Sequence, residues 1–367
     1  MGGAADTICT VVVLNHWLTQ MVLSFQHPAR CVLVVFALLL VTTSCDPSTA
    51  SRPHSTAPVV YFQRAPVTGW QAIDWTGKLH GSVGSDQVGN PYQSPDGSGL
   101  LWDPNGAWQI VNRTGHVLSL AEMTDSRGLA WADDSSGMCI LRGTSSEGGS
   151  YSIAFDAATG GSRTIAALTT LKGPDVAACS PSASRVVILT ASGRKDPQAD
   201  VMRITFGELR VIDFKTGTVQ FQQTFPVGGL STEVNSVAVT HDGSFAALGT
   251  QTQTIIVNLL NGQVVSSVTG VTPLAFSWDG KLLAVDGAGN RGEVLNLSTG
   301  QVVWSDSSAN RVTQGAVANP AGSDVMLLVT GGGLNDLLVV TAAGTANVVA
   351  KNVFPDQLTP CSNCSAF

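Results

Sequence analysis

The 367-residue chain has little charge and few aromatic residues. Asp, Glu, Lys and Arg together make up 12% of it, about half the usual share, and aromatic residues make up 6%. The 26 acidic residues outnumber the 19 Lys and Arg residues, so the formal net charge is −7. The sequence has no cluster of Lys and Arg, which binding to nucleic-acid phosphates requires. We therefore expect no nucleic-acid partner.

Common catalytic motifs are also missing. After the first 44 residues there is no H-E-x-x-H, no G-x-S-x-G and no P-loop. The string Gly287–Gly292 matches G-x-G-x-x-G, but Glu293–Leu297 is typical of a strand, whereas a dinucleotide site needs a helix there. We interpret the string as a turn. We expect no cofactor and no metal, although Asp286 and Asn290 lie close enough in sequence to keep a metal hydrolase as an alternative.

The N-terminal segment is typical of an export signal. Arg30 precedes the apolar run Cys31–Val41, and small residues follow it. The run is shorter than the roughly 20 residues that a membrane-spanning helix needs. We predict a signal peptide over residues 1–44. Met21 is the alternative start, because Met21–Ser44 has an ordinary signal length.

The residues that end this run, Thr42-Thr43-Ser44-Cys45, resemble the lipobox of bacterial lipoproteins. In that family the cysteine is acylated and becomes the first mature residue, so the resemblance implies lipidation of Cys45 and a membrane anchor. The family usually has Leu three residues before the cysteine, where this chain has Thr42. Secretion without an anchor, with Cys45 there by chance, and an uncleaved signal are the alternatives.

Composition divides the remainder into three segments. Residues 45–58 are rich in Ser, Thr and Pro, which predicts a disordered tether that carries the lipid anchor. Residues 59–352 carry repeated units of strand and turn. Residues 353–367 form a C-terminal tail with a C-x-x-C motif.

Two kinds of turn alternate along residues 59–352. The first is a Thr-Gly or Asn-Gly pair, or a variant of it, after an apolar stretch; its glycines are Gly77, Gly115, Gly160, Gly217, Gly262, Gly300 and Gly344. The second is an Asp-Gly turn or a relative of it; its copies lie at 94–97, 133–137, 180–184, 241–243, 278–280 and 320–322. Glycine permits the positive φ that tight hairpins need. Each period therefore holds two hairpins, or four strands.

The spacing of these turns predicts the fold. The glycines of the first kind recur about every 38 to 45 residues, except for a gap of about 57 between Gly160 and Gly217. Four strands per repeat of this length indicate a β-propeller, in which sheets stacked around an axis bury each other's faces. We predict an all-β propeller with seven four-stranded blades, or six if the first copy only adds a strand. A β-sandwich is the alternative, but it needs no fixed period.

The first blade is expected to take strands from both ends of the repeat region. Val59–Phe62 is a strand candidate at one end, and Val349–Phe354 or the tail after it is a candidate at the other. Pairing them would remove an open sheet edge and close the ring.

Two motifs carry a resemblance to known families. The turn Ser277-Trp278-Asp279-Gly280-Lys281 resembles those of WD40 and YVTN propellers, including the TolB-like repeats of exported bacterial proteins. The segment Leu295–Trp304 resembles the repeats of quinoprotein propellers, in which a Thr-Gly turn and a tryptophan recur in each blade. Only this copy has the tryptophan; the others have Leu79, Val117, Phe221 or Val264 nearby. The departure argues against a quinone site.

Four cysteines follow Cys45, and an even number in an exported protein suggests disulfides. Cys139 and Cys179 are expected on neighbouring strands of adjacent blades, where either a disulfide or two buried thiols would fit. Cys361 and Cys364 favour a small disulfide loop over a redox or zinc site, because no thioredoxin-like pattern and no further ligands surround them.

The wide gap between repeats predicts an insertion between the second and third strands of the fourth blade. It covers residues 191–203, and Arg194, Lys195, Asp196 and Arg203 make it unusually charged for this chain. Long loop insertions are often functional, so we predict that these four residues bind a partner; a solvated loop is the alternative.

The glycine-rich stretch Gly331–Asp336 is a second candidate on the same face of the propeller. We expect a non-catalytic binding or scaffold propeller at the cell envelope, anchored or extracellular. Its partner would be an envelope protein, a peptide or a saccharide. A propeller enzyme of the lactonase or quinoprotein dehydrogenase type and a purely structural assembly protein are the alternatives.

Overall fold

The computed structural model describes most of the chain after residue 57. The described residues are 58–64, 70–83, 91–102, 109–112, 117–119, 129–143, 150–169, 174–195, 202–225, 234, 236–287, 289, 291–308, 311–331 and 334–359. The predicted signal peptide, Cys45, nearly all of the predicted tether, and Cys361 and Cys364 lie outside them. No helix in the described ranges is long and apolar enough to span a bilayer.

The described residues form 27 strands. The first fourteen are β1 Val59–Arg64, β2 Trp70–Asp74, β3 Leu79–Val83, β4 Tyr92–Gln93, β5 Gly99–Trp102, β6 Gln109–Asn112, β7 Val117–Ser119, β8 Leu129–Trp131, β9 Gly137–Gly143, β10 Ser150–Ala157, β11 Ser162–Thr169, β12 Pro174–Ser180, β13 Arg185–Lys195 and β14 Met202–Asp213. The others are β15 Val219–Thr224, β16 Ser236–Val239, β17 Phe245–Gly249, β18 Gln253–Asn258, β19 Val264–Thr269, β20 Thr272–Phe276, β21 Leu282–Gly287, β22 Arg291–Asn296, β23 Val302–Ser305, β24 Arg311–Ala318, β25 Val325–Gly331, β26 Leu334–Val340 and β27 Ala346–Thr359.

These strands make a β-propeller, as the repeats predict. Five four-stranded sheets each consist of consecutive strands: β4–β7, β8–β11, β12–β15, β16–β19 and β20–β23. Every strand pairing within them is antiparallel, for example Ala275↔Ala284 between β20 and β21. Each sheet is a meander of two hairpins, so the prediction of four-stranded antiparallel blades is confirmed.

The remaining strands form one seven-stranded sheet in the order β24-β25-β26-β27-β1-β2-β3. The long strand β27 joins its two parts. The first part of β27 pairs with β26, as in Val340↔Ala346, and the last part pairs with β1, as in Tyr61↔Thr359. The pairing of strands from the two ends of the repeat region is therefore confirmed. Five blades stand as separate sheets, and the total of seven stays a prediction.

Apolar side chains fill the spaces between neighbouring sheets. The buried residues of the described ranges form seven clusters, each with side chains from two successive groups of strands. One cluster packs Val60 and Phe62 of β1 against Met326 and Leu328 of β25, across the two parts of the seven-stranded sheet. Successive clusters join each sheet to the next, from β1 around to β27 and back to β1. A sheet in such a stack needs a neighbour on each side to bury both of its faces.

A disulfide joins two of the sheets. The sulfur atoms of Cys139 on β9 and Cys179 on β12 are bonded, and their Cα atoms are 5.7 Å apart. Both residues are fully buried in the cluster between the β8–β11 and β12–β15 sheets. Of the two alternatives left open by the sequence, the structure has the disulfide.

The structure corrects the predicted loop insertion between the second and third strands of the β12–β15 sheet. There β13 and β14 are unusually long, and they pair as far as Arg194↔Arg203 and Lys195↔Met202. The backbone of the predicted insertion is therefore largely an extended hairpin, and Asp196 lies outside the described residues. The prediction from the wide gap between repeats and from charge gave too little weight to the strand-forming residues Ile204 and Phe206.

Candidate ligand site on the loop face

The connections between strands define two faces of the propeller. In an antiparallel meander, successive connections lie at alternate ends of the sheet. In the β20–β23 sheet, the Asp279-Gly280 and Thr299-Gly300 turns share one end, which we call the turn face. The connection from β21 to β22 and the one from β23 to β24 share the other end, which we call the loop face.

Among the described residues, several buried polar atoms without a hydrogen bond lie on the loop face of the β20–β23 and β24–β27 strands. Five side-chain oxygens there are buried and have no hydrogen-bond partner; they belong to Asp286, Asp306, Thr313, Thr330 and Asn335. Each of the five residues lies at or next to a strand end, on β21, after β23, on β24, on β25 and on β26. Asp286, Asp306 and Thr313 lie on the side of the β24–β27 strands that faces the β20–β23 sheet, and we call these three residues the loop-face cluster. A buried polar group without a partner costs about 1–3 kcal/mol, so each of these oxygens needs an explanation.

Backbone contacts hold the β20–β23 side of this cluster in place. Asp286 pairs with Gly292, and the backbone N–H of Asp306 donates to the carbonyl oxygen of Gly292 at 2.9 Å. A Cβ at Gly292 would lie 2.3 Å from the hydroxyl oxygen of Thr313. Gly292 therefore lets Asp286, Asp306 and Thr313 approach one another, and a larger residue there would push them apart.

Strand register places Thr330 and Asn335 on the opposite side of the β24–β27 strands from Thr313. Thr330 on β25 pairs with Asn335 on β26 and with Val312 on β24, and successive side chains of a strand point to opposite faces. The side-chain amide of Asn335 donates to the carbonyl oxygen of Val353 at 2.6 Å. Its donor end is thus occupied, and only its oxygen is left for a further partner.

Arg311, at the start of β24, forms ion pairs with two carboxylates at this end of the strands. Its guanidinium donates to the carboxylate of Asp336 at 2.9 Å and lies 4.0 Å from Oδ2 of Asp306. One arginine thus faces two carboxylates. Lys351 on β27 pairs with Asp336 and adds a second positive charge beside it.

Burial alters the acidity of two carboxyl groups at the loop ends of strands. Desolvation raises the pKa of Asp286 above its usual range. Burial also raises the pKa of Asp175, near the start of the inner strand β12, to about 6. Both groups are costly to ionise in the folded chain, because burial disfavours the charged form.

The site residues predicted from the charged insertion lie elsewhere. Arg194 and Lys195 belong to β13 and Arg203 to β14, on the backbone of the extended hairpin. Nothing described tests whether they bind a partner, so that stays a prediction. The loop-face cluster contains Asp286, and Asn335 lies at a loop end of the same strands; both belong to stretches that the sequence singled out.

Sequence reasoning missed Asp306, Thr313 and Thr330. A usable signal was present: each is a polar residue within a few positions of the strand end that faces the loops. The repeat pattern gives those ends, but it does not show which polar side chains lack a partner, because partners come from neighbouring sheets. Among the described residues, no three His, Cys, Asp or Glu side chains are grouped as metal ligands.

Comparison with known proteins adds little to this geometry. No protein-family model matches the chain. No curated protein matches it in sequence. Among solved structures, a chain described as "Crystal Structure of Mitotic Checkpoint Complex" is similar with a TM-score of 0.46 and 13% identity, over 82% of this chain and 86% of that one. At that level the similarity carries no argument about function.

Proposed function

We propose that this protein is an exported, non-catalytic propeller that binds a partner through its loop face. The observation that carries the proposal is the loop-face cluster, which groups buried oxygens without hydrogen bonds between two sheets. In a stable fold such groups are normally paired, and a bound partner can supply the missing donors. The partner is a protein or peptide, or a saccharide, of the cell envelope.

Arrays of immobilised peptides and of envelope saccharides, incubated with the purified protein, test this proposal. The variant Asp286→Asn/Asp306→Asn removes two acceptor carboxylates of the cluster. The control Asp324→Asn removes one negative charge at the opposite end of β24, where Asp324 precedes β25 on the turn face. We expect signals that the double variant loses and the control keeps. Equal binding by all three proteins, or no binding at all, would rule out the loop face as the binding surface.

We also propose that Cys45 is acylated and anchors the protein to a membrane. The apolar run before Cys45 and the small residues beside it support export with lipidation. The Cys139–Cys179 disulfide is compatible with an oxidising compartment outside the cytosol. A lipid anchor would hold the propeller near its partners at the envelope.

Membrane fractionation of cells that produce the full chain tests the anchor. The natural protein is expected in the membrane fraction, and Cys45→Ala is expected in the soluble or secreted fraction. Cys31→Ala, within the apolar run, is the control and should fractionate like the natural protein. A Cys45→Ala protein that stays with membranes would overturn the anchor, but it would leave the binding proposal intact.

A further inference from the structure

We propose that the outer rim of the turn face rests on the surface of the lipid bilayer. This contact depends on the proposed acylation of Cys45 and determines which side of the propeller the anchor holds against the membrane. Among the described residues, eight large apolar side chains are exposed, and seven of them lie in a turn of the first kind, such as Thr299-Gly300, or within four residues after its glycine. We call these seven the apolar rim: Leu79, Val219, Leu260, Val264, Val265, Val302 and Val348.

The repeat places the apolar rim at one level of the propeller. β3, β15, β19, β23 and β27 each follow a turn of this kind, so their first residues lie on the turn face. The first four are the last strands of their sheets, and the start of β27 has the same place next to β26. Apolar clusters join the β12–β15, β16–β19, β20–β23, β24–β27 and β1–β3 strands in that order around the ring. The rim is therefore one arc along the outer edge of the turn face.

The centre of this arc carries no charge. Three successive turns contain no Asp, Glu, Lys, Arg or His; they cover residues 258–263, 296–301 and 341–345. The turns on either side each contain one Asp and one Lys, namely Asp213 with Lys215 and Asp74 with Lys78. Burying a charge away from water is costly, whereas uncharged turns approach lipid at little cost. The arc is therefore suited to an apolar contact.

Acidic residues of the turn face lie inside this arc. Asp242, Asp279 and Asp324 belong to the hairpins between the first and second strands of their sheets. The first strands of neighbouring sheets lie against one another, as β16 does against β20, so these hairpins are nearer the axis. Anionic headgroups would be repelled by these carboxylates, so the contact suits zwitterionic lipid.

The chain that precedes the propeller also leads to the turn face. Val59, the first residue of β1, pairs with Asp74, where the turn between β2 and β3 begins. Cys45 precedes Val59 by 14 positions. Even a fully extended chain of that length spans only about 50 Å. An anchor at Cys45 therefore brings the turn face to the bilayer first. With the loop face against the bilayer, the same segment would have to run past the full length of the strands.

A flat bilayer fits an arc of this shape. Residues at one level around a ring lie close to a plane, so a planar surface touches them together, whereas a protein partner usually covers a compact patch of about 800 Å². The side chains of the rim are between 45% and 62% exposed, so each inserts shallowly and contributes little by itself. The contact forms because the anchor keeps the rim at a high local concentration near the lipid. Loss of the anchor therefore releases the protein, as expected for Cys45→Ala.

Hydrogen exchange measured by mass spectrometry tests the contact. The natural acylated protein is reconstituted in phosphatidylcholine vesicles, and the Cys45→Ala protein is mixed with the same vesicles. We expect the segments 260–269 and 298–305 to exchange at least about fivefold more slowly in the anchored protein, because lipid shields the outer edges of β19 and β23 from water. The segment around the β25–β26 connection, on the loop face, should exchange equally in both proteins.

Substitutions on the two faces separate the rim from the rest of the surface. Val264→Asp/Val265→Asp places two charges at positions that are 62% and 52% exposed, so the fold should tolerate them. In this anchored variant we expect exchange at the rim to return to within about twofold of the Cys45→Ala rate. Val312→Asp is the matched control, because Val312 is exposed on the loop face, and it should leave the shielding unchanged. If the double variant does not fold, Val302→Asp on the next sheet replaces it.

Equal exchange at the rim in the anchored and the Cys45→Ala proteins overturns the contact with lipid, as does shielding that survives Val264→Asp/Val265→Asp. Shielding that grows with protein concentration in the absence of vesicles would identify a second copy of the chain as the occupant, and it overturns the contact as well. The mass of the mature protein separates this contact from the anchor. A protein acylated at Cys45 whose rim is not shielded removes only the contact, whereas an unmodified Cys45 removes the anchor and the contact together. Binding through the loop face is unaffected by either result.

Discussion

The turn face of the propeller and the loop face of the β20–β27 strands differ in how their polar residues are paired. On the turn face, side chains of one sheet bond to the turn of the next. The hydroxyl of Ser180 donates to Asp133 at 2.6 Å, and the hydroxyl of Ser323 donates to Asp279 at 2.6 Å. On the loop face of the β20–β23 and β24–β27 strands, five buried oxygens have no hydrogen bond.

Other contacts on the turn face repeat the arrangement at further boundaries between sheets. The guanidinium of Arg185 donates to the backbone carbonyl of Asp242 at 2.9 Å, and the rings of His241 and Trp278 stack with their centroids 3.6 Å apart. The hydroxyl oxygen of Ser135 accepts from the backbone N–H of Asp96 at 3.0 Å. The turn face thus uses polar groups to join sheets, whereas the loop-face cluster keeps acceptors unused. In this comparison the turn ends of the strands carry polar contacts that join sheets, and the loop ends carry the proposed binding site.

The largest expected change in the free energy of unfolding comes from substituting two turn glycines. Gly217 and Gly300 have nearly the same backbone, with φ of 71° and 69°. A Cβ at Gly217 would lie 2.2 Å from the carbonyl oxygen of Ile165 in the neighbouring sheet, whereas at Gly300 it would meet nothing within 4 Å. We expect Gly217→Ala to lower the free energy of unfolding by about 3 kcal/mol and Gly300→Ala by about 1 kcal/mol.

Urea denaturation of both variants measures the difference. Backbone strain is common to the two alanines, so Gly300→Ala is the matched control, and the excess in Gly217→Ala reports the contact between sheets. Equal losses of stability would contradict the view that the turn face is where neighbouring sheets lock together.

A smaller effect, of opposite sign at the two ends of the strands, is expected from two aspartates. Burial raises the pKa of Asp279 on the turn face, but hydrogen bonds from Lys281, Ser323 and Ser277 outweigh it and lower the pKa to about 2. The stabilising contribution of Asp279 is therefore present above about pH 4 and is lost as the pH falls towards 2. Asp175, at a loop end, has its pKa raised to about 6 by burial, so its cost to stability grows as the pH rises from about 4 to 6 and is fully present above that.

We expect Asp175→Asn to raise the free energy of unfolding at pH 7 by about 1–3 kcal/mol, and to give little gain at pH 4. Asp279→Asn should lower it by about 1 kcal/mol at pH 7, because the amide loses bonds that the carboxylate accepts. Thermal unfolding at both pH values measures each variant against the natural protein. If both variants changed the free energy of unfolding in the same direction at pH 7, the proposed difference between the two faces would be wrong.

How far the sequence predicts this protein differs between its parts. The Asp-Gly and Thr-Gly turns predict the sheets well, because positive φ at residues such as Gly280 and Gly300 is a local property. The extended hairpin was predicted as a loop, because Arg194 and Lys195 suggested solvent exposure while strand pairing is decided by the partner strand. The sequence left open whether Cys139 and Cys179 form a disulfide, because that depends on how the two sheets place them side by side.

The sequence by itself determined the repeated hairpins, the four-stranded sheets and the pairing of the two ends of the repeat region, because the period and the turn residues are local. Only the tertiary structure decided which polar side chains find partners. Asp279 and Asp286 are seven positions apart on one hairpin, yet Ser323 of the next sheet reaches the first, and Oδ1 of the second has no hydrogen bond. The difference depends on contacts between sheets, which no local pattern encodes.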